Sequence, residues 1–358
     1  MRVKLKNVGQ WLAMFCLLAL VACGGPRSID LGDGGRVEDI RLAPDGQAFL
    51  AITSGAMELR NWPEGDLRWR QVGRGYECGP VSTAFSPDGE EIVVGREGRL
   101  FFYTAHAGVL TGEISLGEGV ECVPYLTYRP DGRLALLVAR GGEVFVEVWS
   151  RQGEPAGEPV QLPIPTGSLH GQWHPFTPDG RRMAYVREAY ILGIMDVDKG
   201  ERREWDLTDR LHGAEHPDEL SIWGMAWSPN GREIAVGLTR RPNNTLLEPP
   251  LVMRIDAETG EVLKKLPAPE NMDFGDGGIS LTRVTYGPAG HALAAALSSP
   301  SGLFLYRPDE TEPVVLCDGE DEACCVDRPQ FAPDGATLAT VCREQMSMFL
   351  WDLPNVEE

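Results

Sequence analysis

A large apolar residue, a spacer, a proline, an acidic or amide residue, a glycine and then a short apolar run recur in this order along the chain. The large residues are Leu42, Phe85, Tyr128, Phe176, Trp227, Tyr286 and Phe331, each two positions ahead of Pro44, Pro87, Pro130, Pro178, Pro229, Pro288 and Pro333. Successive prolines are separated by 43, 43, 48, 51, 59 and 45 residues. Self-similarity at a period of this size marks stacked structural repeats. The one unit that departs from an Asp or Asn after the proline is the sixth, which carries Ala289.

The phrase has a physical role. Proline suits the second position of a type I turn, glycine the fourth, and aspartate tolerates the conformation between them, so each phrase predicts a tight reversal between two strands. The runs that follow, such as Phe49-Leu50, Ile92-Val93, Met183-Ala184 and Ile234-Ala235, are continuously apolar. That is the pattern of a strand covered on both faces. A third strand is predicted in each unit, over residues 58–62, 100–103, 144–149, 191–195, 251–255, 303–306 and 348–351. A fourth, more polar strand follows it, as over 110–116 and 262–266. Four antiparallel strands, seven times over and without a long helix, predict an all-β, seven-bladed β-propeller across residues 28–353, with 354–358 as a short tail. The seventh unit ends after its third strand, while Ser28–Leu31 precedes the first unit without a partner. The last blade is therefore expected to be closed by the N-terminal strand, which would remove an open sheet edge.

These units resemble WD40 repeats and the WD40-like repeats of periplasmic propellers of the TolB type. The Gly-His dipeptide of intracellular WD40 units is missing, and Trp-Asp occurs only at Trp351-Asp352. The resemblance implies the fold and names no subfamily.

Residues 1–22 carry Arg2, Lys4 and Lys6 ahead of an apolar stretch from Trp11 to Ala22, which reads as a secretion signal too short to span a bilayer comfortably. The segment Leu20-Val21-Ala22-Cys23-Gly24 resembles the lipobox of bacterial lipoproteins. The resemblance implies lipidation at Cys23, a tether over 23–27, and a place in the bacterial cell envelope. No Asp follows Cys23, so the resemblance implies an outer-membrane or surface destination. The formal charge is -20, and loss of residues 1–22 removes three positive charges and leaves -23. Such a chain is repelled by phosphate backbones and anionic headgroups, which argues against nucleic-acid partners.

Apart from Cys16 and Cys23, the cysteines are Cys78, Cys122, Cys317, Cys324, Cys325 and Cys342. An even number in an exported chain suggests disulfides. Their places in the repeat suggest Cys78 with Cys122, and local pairing of the last four with Cys325 or Cys324 reaching Cys342. Neither C-x-x-C pairs nor a suitably spaced histidine supports zinc, and no metal or cofactor is expected.

In a propeller the first-to-second and third-to-fourth connections share one face, and the other connections share the opposite face. The Pro-Asp-Gly turns make the first face uniform, so the insertions, densest in units four to six, fall on the second. Long loops on a rigid scaffold carry functional variation, which makes this the expected binding face. Its candidate residues are His170, His174, His212, His216, Arg240, Arg241, Asn243, Asn244, Asp273 and Asp276. The spacings His170 with His174 and His212 with His216 could hold a metal only if irregular loops converged. Trp173 and Trp223 read as inter-blade packing, and the acidic run 318–322 as a solvated loop.

No nucleophile elbow, phosphate-binding loop, H-E-x-x-H or dinucleotide fingerprint is present, and no catalytic residue is expected. The expected role is a monomeric, membrane-anchored, non-catalytic platform for another envelope protein. Two alternatives stand beside it. One is a propeller hydrolase of the lactonase type with a metal in the central channel, and the other is a sugar- or peptide-binding lipoprotein. The tether of 24–27 reaches about 15 Å when extended, which would turn the loop-rich face away from the membrane.

Overall fold

A computed structural model describes residues 25–32, 35–72, 82–166, 174–208, 210, 220–240, 250–269, 283–290, 292–298, 301–308, 310, 312–318, 324–342 and 345–353. The lipobox and Cys23, the tail from 354 onward, Cys78, His170, Trp173, His212, His216, Arg241, Asn243, Asn244, Asp273 and Asp276 lie outside them.

The strands run as β1 (Arg27–Asp30); β2 (Val37–Leu42), β3 (Ala48–Thr53), β4 (Ala56–Asn61) and β5 (Leu67–Val72); β6 (Ser82–Phe85), β7 (Glu91–Arg96), β8 (Arg99–Thr104) and β9 (Leu110–Ser115). There follow β10 (Val120–Tyr128), β11 (Leu134–Arg140), β12 (Glu143–Trp149) and β13 (Val160–Pro165), then β14 (Arg182–Arg187), β15 (Ile191–Asp196) and β16 (Arg202–Asp206). The chain continues through β17 (Leu220–Trp227), β18 (Glu233–Arg240), β19 (Pro250–Asp256) and β20 (Val262–Pro267), and through β21 (Arg283–Tyr286), β22 (Leu293–Ser298), β23 (Ser301–Tyr306) and β24 (Val314–Cys317). It ends with β25 (Asp327–Phe331), β26 (Thr337–Cys342) and β27 (Ser347–Asp352).

The strands β2–β24 form six antiparallel sheets in sequence order, β25–β27 form a seventh with β1 as its outer strand in the order β1-β27-β26-β25, and the seven sheets are the blades of a β-propeller. Blade four has three named strands. Its inner strand is reduced to the bridge Phe176↔Met183, because Pro175 and Pro178 lack a backbone donor and His174 takes a left-handed backbone with φ of 59°.

The seven turns explain the sequence phrase. In each, the glycine N–H donates to the carbonyl three residues earlier at 2.8–2.9 Å. The glycines hold φ between 62° and 78°, the left-handed step after a type I turn that returns the chain to the sheet. Asp45, Asp88, Asp131, Asp179, Asn230 and Asp334 each accept, at 2.9–3.1 Å, the N–H two residues further on. The acid is selected by this bond, and Ala289 cannot make it. The turns also touch around the ring, since a Cβ on Gly46 would lie 3.6 Å from the Pro333 ring and one on Gly335 3.4 Å from that of Pro288.

Burial follows position in the blade. Every residue of β3 is buried, whereas β5 is exposed along nearly its whole length. The second strand has a neighbouring blade on both faces, while the fourth forms the rim. The core accordingly divides into seven apolar clusters, each lying between two successive blades. The cluster between blades seven and one includes Ile29 and Leu31 beside Val37, Ile40, Phe49, Met348 and Leu350. The N-terminal strand closes this interface. β1 pairs with β27 from Arg27↔Leu350 to Asp30↔Ser347, and the Leu31 N–H donates to the Met346 carbonyl at 3.1 Å. Among the described residues no helix is long and apolar enough to cross a membrane.

Candidate ligand site in the central channel

The innermost strands bring their edges to the propeller axis, and several of them slip out of register there. Irregularities fall between Val37 and Asp39 in β2, Cys122 and Tyr125 in β10, Ile222 and Gly224 in β17, and Asp327 and Gln330 in β25. A bulge turns a side chain out of the period-two alternation. Asp39, Tyr125, Arg283 and Arg328 each stand five residues before their turn proline, and Arg41, Thr127, Thr285 and Gln330 three before. These two tiers place polar groups at the axis.

Asp39 is buried and lies between two guanidiniums, with Arg41 Nη2 2.8 Å from Oδ2 and Arg328 Nη1 3.0 Å from Oδ1. The Arg283 Nε donates to Asp327 Oδ1 at 3.1 Å. The Gln330 Nε2 donates to the Ile40 carbonyl at 2.7 Å. Three of these links cross blade boundaries, so part of the polar set is structural, joining blade seven to its neighbours. Among the described residues, Arg41, Arg283 and Arg328 meet Asp39 and Asp327 here.

His174 stands in the same channel. Arg41 Nη1 lies 3.3 Å from its Nε2 and 3.5 Å from its Nδ1. Its side chain is exposed to the open space of the channel yet ringed by protein. Loss of bulk hydration, then the positive charge of Arg41, push its pKa down to about 3, so the ring is neutral at ordinary pH. Burial likewise raises the Tyr125 hydroxyl, which keeps its proton. Two adjoining cavities, of about 240 Å³ and about 440 Å³, open along this stretch. Arg41, Thr127, His174 and Phe176 line both. The larger reaches the turn prolines Pro44, Pro178, Pro229, Pro288 and Pro333, so its mouth is on the Pro-Asp-Gly face.

His174 therefore departs from its expected place. It lies in the channel beside Arg41, not on the loop-rich face, because its left-handed backbone ends the connection from blade three inside the ring. Arg240, the last residue of β18, pairs with Leu220 at the end of the sheet opposite the turns. Cys317 is bonded to Cys324 and Cys325 to Cys342, with Cα separations of 5.6 and 5.0 Å. Both bridges secure the connection from blade six to blade seven on the loop-bearing side. Cys122 is partly buried in β10. Asp39, Arg41, Arg283, Asp327 and Arg328 were missed by sequence reasoning. Their signal was a charged residue three to six positions before a turn proline, in the innermost strand of the unit.

The donors at this site are guanidinium, phenol, hydroxyl and amide groups, a set suited to binding anions. Among the described residues no group of three or more His, Cys, Asp or Glu could hold a metal ion.

No family model and no curated protein matches the chain. Its fold is similar to the crystal structure of the β-propeller domain of Cps50 (Swd1) from Myceliophteria thermophila. The TM-score is 0.61 at 14% identity, covering 92% of this chain and 100% of that one. At that identity the likeness concerns the fold alone.

Proposed function

We propose that this protein is a lipid-anchored, extracytoplasmic propeller that presents its loop-bearing face to another protein of the bacterial envelope, without catalysis of its own. The observation that carries the reading is the asymmetry between the two faces. On one, the seven Pro-Asp-Gly turns are short and nearly identical, and the third-to-fourth connections beside them are mostly five residues, 150–159 being the long exception. At the other, the ends of β16 and β17, of β18 and β19, and of β20 and β21 stand 13, 9 and 15 residues apart in sequence. A rigid ring with variable loops on one side is a common way to build a recognition surface.

Two further facts support the location. The bonded pairs Cys317–Cys324 and Cys325–Cys342 suit an oxidising compartment. β1 begins beside the end of β27, with Arg27 opposite Leu350, so the chain leading back to Cys23 departs from the Pro-Asp-Gly face. Anchoring there turns the loops away from the bilayer.

Proximity labelling from the anchored protein in its native envelope tests the platform reading. A reproducible protein neighbour, lost when the 241–249 connection is replaced by Gly-Ser, is the expected result. Absence of any neighbour above background would remove it. Metabolic labelling with an alkyne fatty acid tests the anchor, which fails if label persists undiminished in Cys23→Ser.

A further inference from the structure

We propose that the central channel is a binding site for a small organic carboxylate with an apolar body, its anionic head held by Arg41 and its body in the funnel that opens on the Pro-Asp-Gly face. This site is separate from the loop-bearing face and does not depend on the platform reading.

The deep end supplies the reason for a negative charge. Arg41 is the one charged side chain lining both cavities among the described residues, and the carboxylate facing it, Asp39, is shared with Arg328. Arg41 Nη2 faces Asp39 and Nη1 the His174 ring, so two of its five N–H groups have partners and the others remain for a ligand in the cavities that it lines. A planar guanidinium grips a carboxylate through two parallel N–H donors, at a gain that grows where water is scarce. A second observation points the same way. Thr83 is buried, lines the inner cavity, and its Oγ1 has no hydrogen-bond partner. A buried hydroxyl without a partner costs free energy, which a bound acceptor would recover once a small side-chain shift turned the hydroxyl to the cavity. The neutral ring of His174 adds a hydrogen-bonding group without a second full charge.

The outer end supplies the reason for an apolar body. The larger cavity passes between Leu42, Phe176, Trp227, Tyr286 and Phe331 before it meets the turn prolines. Its volume of about 440 Å³ is of the size that takes a small organic ligand. Phosphate would find the head site but leave this apolar wall unfilled. A fully aliphatic neutral molecule would strand the charges.

The test uses the whole mature chain and three probes: benzoate, 3-phenylpropionate and benzamidine, the last matching benzoate in shape with the opposite charge. Ligand-observed NMR and calorimetric titration should show saturable binding of both carboxylates, with 3-phenylpropionate the tighter. Benzamidine should bind at least tenfold more weakly. Arg41→Gln should weaken the carboxylates at least tenfold, and Thr83→Val severalfold. Because Arg41 also touches Asp39, an arginine-selective dicarbonyl on the unsubstituted protein gives a second reading. Mass spectrometry should show Arg41 modified, and protected by 3-phenylpropionate. The proposal is overturned if neither carboxylate saturates, if benzamidine binds as well as benzoate, if folded Arg41→Gln binds normally, or if the carboxylate leaves Arg41 equally reactive.

Discussion

Leu31→Ala is the sharpest probe of how this ring is sealed. Leu31 is 1% exposed and sits in the cluster between blades seven and one with Val37, Ile40, Phe49, Met348 and Leu350. Its removal takes away buried methyl groups and leaves a cavity, at a cost of about 3 kcal/mol within the usual 2–5 kcal/mol range. Set against a total stability of about 5–15 kcal/mol, that is a large share for one side chain just after the first strand. An unfolding entropy of about 2.1 cal/mol/K per residue, taken over roughly 330 residues, converts it to a fall in Tm of about 4 °C. The matched control is Leu67→Ala, the same chemical change on the rim strand β5, where Leu67 is 51% exposed. It should stay within about 0.5 kcal/mol of the parent. Thermal and guanidinium unfolding of both variants measure the difference, and hydrogen exchange should show faster opening of β1 and β27 in Leu31→Ala. Equal shifts in the two variants, or an unchanged melting curve for Leu31→Ala, would refute the claim that the N-terminal strand seals the ring.

Three other outcomes follow from the same geometry. Ala289→Asp supplies the acceptor present in the other six turns and should raise stability by about 0.5–1 kcal/mol, seen as roughly 1 °C in Tm; a fall would contradict the account of the phrase. His174 has its folded-state pKa pushed down to about 3 from an ordinary 6.5, so between these values the unfolded chain binds the extra proton and stability falls as pH falls. His174→Asn, which accepts the left-handed backbone, should therefore gain in Tm relative to the parent as pH is lowered from 7 to 4, and parallel curves would show that the imidazole is not held neutral. The bond between Cys325 and Cys342 closes a span of 17 residues and that between Cys317 and Cys324 a span of 7. Loop entropy then gives about 3 and about 2.4 kcal/mol, so replacing the longer pair by alanines should lower Tm more, and the reverse order would count against the entropic account.

The repeat number, the turns and the buried second strands could all be read from the chain, because each depends on residues a few positions apart. Proline presets its own φ, aspartate bonds two residues ahead, and glycine accepts the left-handed step. A run such as Ala48–Thr53 declares that it is covered on both faces. Ring closure was legible for a related reason, since a unit one strand short and a spare N-terminal strand require each other. The disulfides near the end followed from short separations. Tertiary structure decided the channel. Asp39 and Arg328 are almost the full length of the fold apart, yet meet at 3.0 Å because blade seven returns to blade one. Bulges in the inner strands set which side chains leave the alternation and face the axis, and a one-residue irregularity leaves no mark in a hydropathy pattern. His174 shows the limit most plainly: its neighbours in sequence suggest a loop, whereas the left-handed turn of its own backbone, fixed by packing around it, carries the ring into the axis beside Arg41.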